Sequence, residues 1–257
     1  MRAAVTHPPD RDLIQFGRAT MTELDSRLPA RWQNRLAERY DLESLYRNID
    51  DLYRNGPGPI FPEQSAVFRA FLLTPPEDVR VVILGQDPYP RPKEADGLAF
   101  SMANAERPVP RSLRAIFTNI ASDPALANDR RSFVDPGHGD LTEWATRGVL
   151  LLNSALTVGE RAGSHKRHWR GFARAVLDAI VEMGEPTVFL LWGGPAIRAA
   201  RQLRMTDDRH KLSCSAHPAA WDPGQLTPFA AVPHFSMANQ HLGDRAIDWS
   251  LSSRQNS

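Results

Sequence analysis

The chain has 257 residues, 42% of them hydrophobic and 24% charged, which is enough for one well-filled core and short for two. Its single cysteine, Cys214, excludes an internal disulfide, a four-cysteine zinc site and an iron–sulfur cluster held by four of its own thiolates, and suits a reducing compartment. A net charge of +1, with 28 arginines among 31 basic residues, excludes a histone-like polycation but leaves room for a local basic face.

Met1 to Thr20 is charged and lacks the apolar block of a secretory signal, so residues 1–20 read as a loose leader, and residues 252–257 (SSRQNS) as a frayed tail. No apolar run approaches the roughly 20 residues of a membrane helix. The expectation is a single cytoplasmic domain over residues 1–257, monomeric and without membrane contact. Leu42, Leu45, Tyr46, Ile49, Leu52 and Tyr53 recur at helical spacing, with Gly56 as a stop. A second helix is expected from Pro62, with Val67, Phe68, Phe71 and Leu72 on one face. The period then changes. Val79 to Leu84 (VRVVIL) is a short, nearly continuous apolar run closed by Gly85, as in a strand buried on both faces. Further strands are expected at Val149 to Leu152, Thr187 to Trp192 and, more weakly, Lys211 to Ser215, with helices between them at Ser112 to Ile120, Trp169 to Met183 and Ala196 to Leu203. This order predicts an α/β fold, three layers α/β/α around a central four-stranded, mostly parallel sheet.

In such sheets ligands bind beyond the carboxyl ends of the strands. The strands are followed by Gly85-Gln86-Asp87-Pro88-Tyr89-Pro90, by Asn153, by Gly193-Gly194 and by His217-Pro218. An acid, an amide, a histidine and glycine turns therefore converge on one edge. Singly, each has an ordinary structural reading: Asp87 as a turn former, Asn153 as a strand-end cap, His217 as a satisfied imidazole. Their shared location argues for function.

GQDPYP at 85–90 resembles GQDPYH, the signature of the first family of uracil-DNA glycosylases. GLAFS (97–101), PVPRSLRAIF (108–117), RGVLLLNSALTV (147–158), VFLLWG (188–193), HFSMAN (234–239) and AIDW (246–249) are similar, in order, to further segments of that family. The resemblance implies hydrolysis of the N-glycosidic bond of uracil in single- or double-stranded DNA after base flipping, within base-excision repair, with no metal and no cofactor. It implies that Asp87 positions the attacking water and stabilises charge on the sugar, and that His217 hydrogen-bonds the uracil oxygen as the base leaves. Asn153 would read uracil against cytosine, Phe100 stack on the base, Tyr89 block a thymine methyl, and Gln86 shape the pocket. DNA contact is implied for Pro110, Ser112, Gly193, Gly194, Pro218, Ala219 and Trp221. Ser112 also reads as a helix N-cap. A proteinaceous glycosylase inhibitor is a further implied partner.

The family's HPSPLS loop is here His217-Pro218-Ala219-Ala220-Trp221-Asp222: both serines are lost, an acid stands in place of one, and Trp221 takes the leucine position. The indole either wedges into the base stack or folds back over core; both readings stand. Pro90 replaces the usual histidine. Residues 161–217 hold ten Lys or Arg against five acids, a basic flank suited to phosphates. Two rivals follow from the altered loop: a glycosylase with another strand or base preference, and a non-catalytic binder of uracil-DNA.

Overall fold

The computed structural model describes residues 27–102, 107–127, 135–200, 203, 208–222 and 224–253; the expected leader, and the tail from residue 254, lie outside them. Four strands form one parallel sheet: β1 (Val81–Gly85), β2 (Val149–Asn153), β3 (Thr187–Trp192) and β4 (His210–Ser215), in the order β2-β1-β3-β4. Their register aligns the functional ends, pairing Gly85 with Asn153 and Trp192 with Ser215. β1, β2 and β3 are buried along their whole length, so helices must cover both faces of the sheet. β2 and β4 are the two edge strands, but only β4 leaves side chains in solvent, Lys211, Leu212 and Cys214, and these exposed positions give it its weak apolar pattern.

The α-helices of the described residues are α1 (Ala30–Leu36), α2 (Leu42–Asn55), α3 (Arg69–Leu73), α4 (Arg111–Ala121), α5 (Pro124–Ala127), α6 (Thr142–Thr146), α7 (Phe172–Met183), α8 (Gly194–Ala200) and α9 (His234–Leu242). α2 starts where Asp41 caps the Ser44 N–H at 2.9 Å and buries Leu45, Tyr46, Ile49 and Leu52. α7 starts later than expected: Gly171, at φ +83°, breaks the chain after Trp169. The helix expected from Pro62 is a 3-10 turn, Gln64–Ala66, followed by the short α3. That break turns Leu72 outward, 43% exposed, while Val67, Phe68 and Phe71 stay buried. One contiguous apolar cluster runs from Leu28 to Leu251. Ser252, at the start of the expected frayed tail, is tied down: its N–H donates to Glu143 and its carbonyl faces His138, each at 2.9 Å. No helix among the described residues is long and apolar enough to cross a membrane.

Candidate active site

The turns after β1 and β2 are stitched together. Ser154 N–H donates to the Gly85 carbonyl at 3.0 Å, Ala155 N–H to the Gln86 carbonyl at 3.0 Å, and Ser154 Oγ to the same Gln86 oxygen at 2.9 Å. Gly85 is required here, because a Cβ on it would stand 2.2 Å from the Asn153 amide oxygen. Asp87 is oriented by two donors on one oxygen: its Oδ2 accepts from Gln86 Nε2 at 2.6 Å and from Gly163 N–H at 2.9 Å. Oδ1 is buried with no hydrogen-bond partner among the described residues. A carboxylate so held can accept one more proton donor, and places negative charge beside whatever enters.

Burial pushes the Tyr89 phenol up to about 12, so it stays protonated and donates to the Phe100 carbonyl at 3.2 Å. Phe100 is held at φ +64°, a strained region for a bulky residue and therefore over-determined by its surroundings. Its ring stands edge-on to Trp192 at 5.4 Å and lies tilted by 34° beside His217 at 5.8 Å. The segment leading to it hangs on buried Asp96, which pairs with Arg69 at 3.0 Å, accepts from Ser101 Oγ at 2.6 Å and from Leu98 N–H at 3.1 Å.

On the other side, β3 ends at Trp192 and turns through Gly193 at φ +91°. A Cβ on Gly193 would crowd the His217 Cβ at 3.3 Å, so the turn and the histidine fit only with glycine. His217 is open to solvent on the cavity side, and partial desolvation by the wall behind it lowers its pKa from 6.5, which favours the neutral ring near pH 7. Its Nδ1 accepts from Ala219 N–H at 3.1 Å, so the one proton of the neutral ring sits on Nε2 and is available as a donor.

Asp87, Gln86, Tyr89, Gly193, Gly194 and His217 line one cavity of about 560 Å³. Asn153 is buried directly behind Gly85, and Phe100 flanks His217. Pro110 instead lines a neighbouring cavity of about 330 Å³ with Tyr89 and Pro90. Ser112 is not an N-cap: Pro110 holds that position, and the Ser112 hydroxyl, on a residue only 9% exposed, lies 3.4 Å from the Tyr89 OH. Pro218 is buried and Ala219 half-buried. Trp221 is 88% exposed, which overturns the folded-back reading. The Arg111 guanidinium lies 5.1 Å from the Trp221 ring centroid, a cation–π contact. Asp222 accepts from Gly224 N–H at 2.8 Å and borders the cavity. Of the expected basic flank, residues 201 and 204 lie outside the described residues, while Arg161, Lys166, Arg167 and Arg170 are exposed on the loop carrying Gly163.

Sequence reading missed Gly163, Arg111 and the wall residue Trp192. Gly163 touches Asp87 across 76 positions, a contact with no local signature. Trp192 and Arg111 lay within VFLLWG and PVPRSLRAIF, but neither was given a role there.

The family model described as Uracil DNA glycosylase superfamily matches residues 71–250. A uracil-DNA glycosylase of Campylobacter concisus is 37% identical over 238 residues, covering 90% of this chain and 97% of that protein. One of Deinococcus deserti is 38% identical, covering 87% and 88%. Among solved structures, mimivirus uracil-DNA glycosylase superposes with a TM-score of 0.74 at 26% identity, covering 91% of this chain and 90% of that one. A variant of mimivirus UNG in complex with UGI gives the same TM-score and identity, covering 91% and 92%.

Proposed function

The chain belongs to the uracil-DNA glycosylase superfamily, and from that premise we infer how it excises uracil from DNA, as a monofunctional glycosylase of DNA repair. The observation that carries the reading is a fixed acceptor and a fixed donor on one cavity: Asp87 with a buried, unpartnered Oδ1, and His217 with its proton on Nε2.

The target nucleotide leaves the stack and its base enters the cavity. The Asn153 amide donates to a uracil carbonyl and accepts from the ring N–H; cytosine offers an acceptor at that ring position and is left mispaired in a closed site. Phe100 stacks on the base, and Tyr89 stands where thymine carries its methyl. Asp87 holds a water against C1′, stabilises the positive charge growing on the sugar as the C1′–N1 bond breaks, and takes the water's proton as the water oxygen bonds C1′. The electron pair of that bond leaves with uracil, and His217 Nε2–H meets the uracil oxygen that takes up the negative charge. Both groups act on charge that develops in the transition state, which is where preorganised donors and acceptors act most strongly.

We read Trp221 as the residue that enters the vacated stack in duplex DNA; its exposure beside the cavity supports this over a purely single-strand preference. The exposed basic loop 161–170 supports phosphate contact. The UGI complex of a relative supports capture by a proteinaceous inhibitor. The test is release of free uracil from uracil-containing oligonucleotides, single- and double-stranded, by wild type and Asp87→Asn. Binding of the oligonucleotide without release by the wild type would establish a non-catalytic binder instead.

A further inference from the structure

Behind the cavity wall a polar chain runs through the core. His234, the first residue of α9, is fully buried; its ring stacks on Phe229 at 5.0 Å and packs against Trp192 at 5.5 Å. Its Nδ1 lies 2.7 Å from Ser213 Oγ and its Nε2 lies 3.0 Å from Ser215 Oγ. Ser215 has one hydroxyl proton and donates it to the Ala216 carbonyl at 2.9 Å. The arrangement that satisfies all three contacts has the ring donating at Nε2. A neutral imidazole carries one proton, so Nδ1 accepts and the Ser213 hydroxyl donates. The chain has a single direction: Ser213 O–H to Nδ1, Nε2–H to Ser215 Oγ, Ser215 O–H to Ala216 C=O.

It ends on the peptide that carries His217. Ala216 N–H is tied to the Thr227 carbonyl at 2.8 Å, and the Ser215 carbonyl receives Gly193 N–H at 2.9 Å. With the Ala216 carbonyl also claimed, the plane of the Ala216–His217 peptide is set from behind. An apolar side chain would fill the same space without the desolvation cost of an imidazole, and would leave that carbonyl's donor unheld. We propose that His234 is a positioning residue that acts through Ser215 to fix the Ala216–His217 peptide and so holds the His217 ring at the leaving uracil. This rests on the activity inferred above.

The experiment measures uracil release from a single-stranded oligonucleotide by wild type, Ser215→Ala and His234→Gln, each also in a His217→Gln background. Ser215→Ala is expected to lower kcat about 10-fold with KM within about twofold, because misplacement acts on the transition state. His234→Gln, whose amide carries an acceptor and a donor on one carbon as the ring does across Cε1, is expected to keep kcat within about threefold of wild type. In the His217→Gln background Ser215→Ala should cost nothing further. Wild-type kcat in Ser215→Ala, or a loss of equal factor in both backgrounds, overturns the proposal. A wild type that releases no uracil refutes the activity instead. The relay is then judged, as it is if Ser215→Ala does not fold, by ¹⁵N NMR of the wild-type imidazoles. A proton on Nε2 of His234 supports it and a proton on Nδ1 overturns it.

Discussion

The pocket and the loop beside it are built on opposite principles. Around Asp87, Phe100 and His217 the backbone is tied by hydrogen bonds from several elements: Gly163 to Asp87, Tyr89 to Phe100, Ala216 to Thr227. From Ala219 to Asp222 the chain is largely open to solvent, with Trp221 resting on Arg111 through one exposed cation–π contact. Groups that must meet a developing charge to within a fraction of an ångström are held by many partners. The group we read as entering a base stack is held by one surface contact. Chemistry and strand grip are therefore separable here.

The sharpest way to break this separation is Asp87→Asn. It should lower kcat about 10³-fold on single-stranded and duplex substrate alike, measured as uracil release; a loss confined to duplex would place Asp87 with the loop. Next comes pH. Burial lowers the His234 pKa from 6.5 to about 4, and Ser213, Ser215, Trp192 and Phe229 around it are all uncharged. The unfolded chain binds a proton at this residue near 6.5, the folded chain only near 4. The stabilisation is therefore complete above pH 6.5 and lost as pH falls towards 4, by roughly 3 kcal/mol from this group. Melting temperatures across that range should fall in wild type and fall less in His234→Gln. Trp221→Ala should then cost about 10-fold in kcat/KM on duplex and less than about twofold on single strands, the size expected of one lost aromatic–base stack. Equal loss on both substrates would tie the indole to the pocket. Smallest, Arg111→Ala should cost about threefold on duplex only, as an exposed cation–π contact does. An unchanged duplex rate would mean that the contact does not orient the indole.

Much of the fold was legible because β1, β2 and β3 are buried on both faces and so read as unbroken apolar runs. β4 was faint because Lys211, Leu212 and Cys214 face solvent, whereas β2, the other edge, is covered along its length. The helix expected across Leu72 failed because spacing cannot see a break between a 3-10 turn and a short helix. Asp87, Asn153 and His217 stood out because each ends a strand or lies within two residues of one, the faint strand being the one before His217. Gly163 and Asp96 did not, and His234 was visible only as the first residue of HFSMAN, since polar contacts between distant segments leave no period in the chain. Trp221 was undecidable in sequence because the choice between core and solvent is made by the path of the loop.

The strand order has one more consequence. Asn153 ends β2 and His217 follows β4, and these are the two outer strands of the sheet, with β1 and β3 between them. Three spacings of about 4.8 Å set those outer backbones roughly 14 Å apart, room for two side chains and one flat heterocycle. The sheet thus serves as a ruler whose divisions are whole strands. The gap cannot be retuned by small drift of the backbone, only in steps of one strand, so discrimination among bases of similar outline falls to the side chains standing on the ruler's ends.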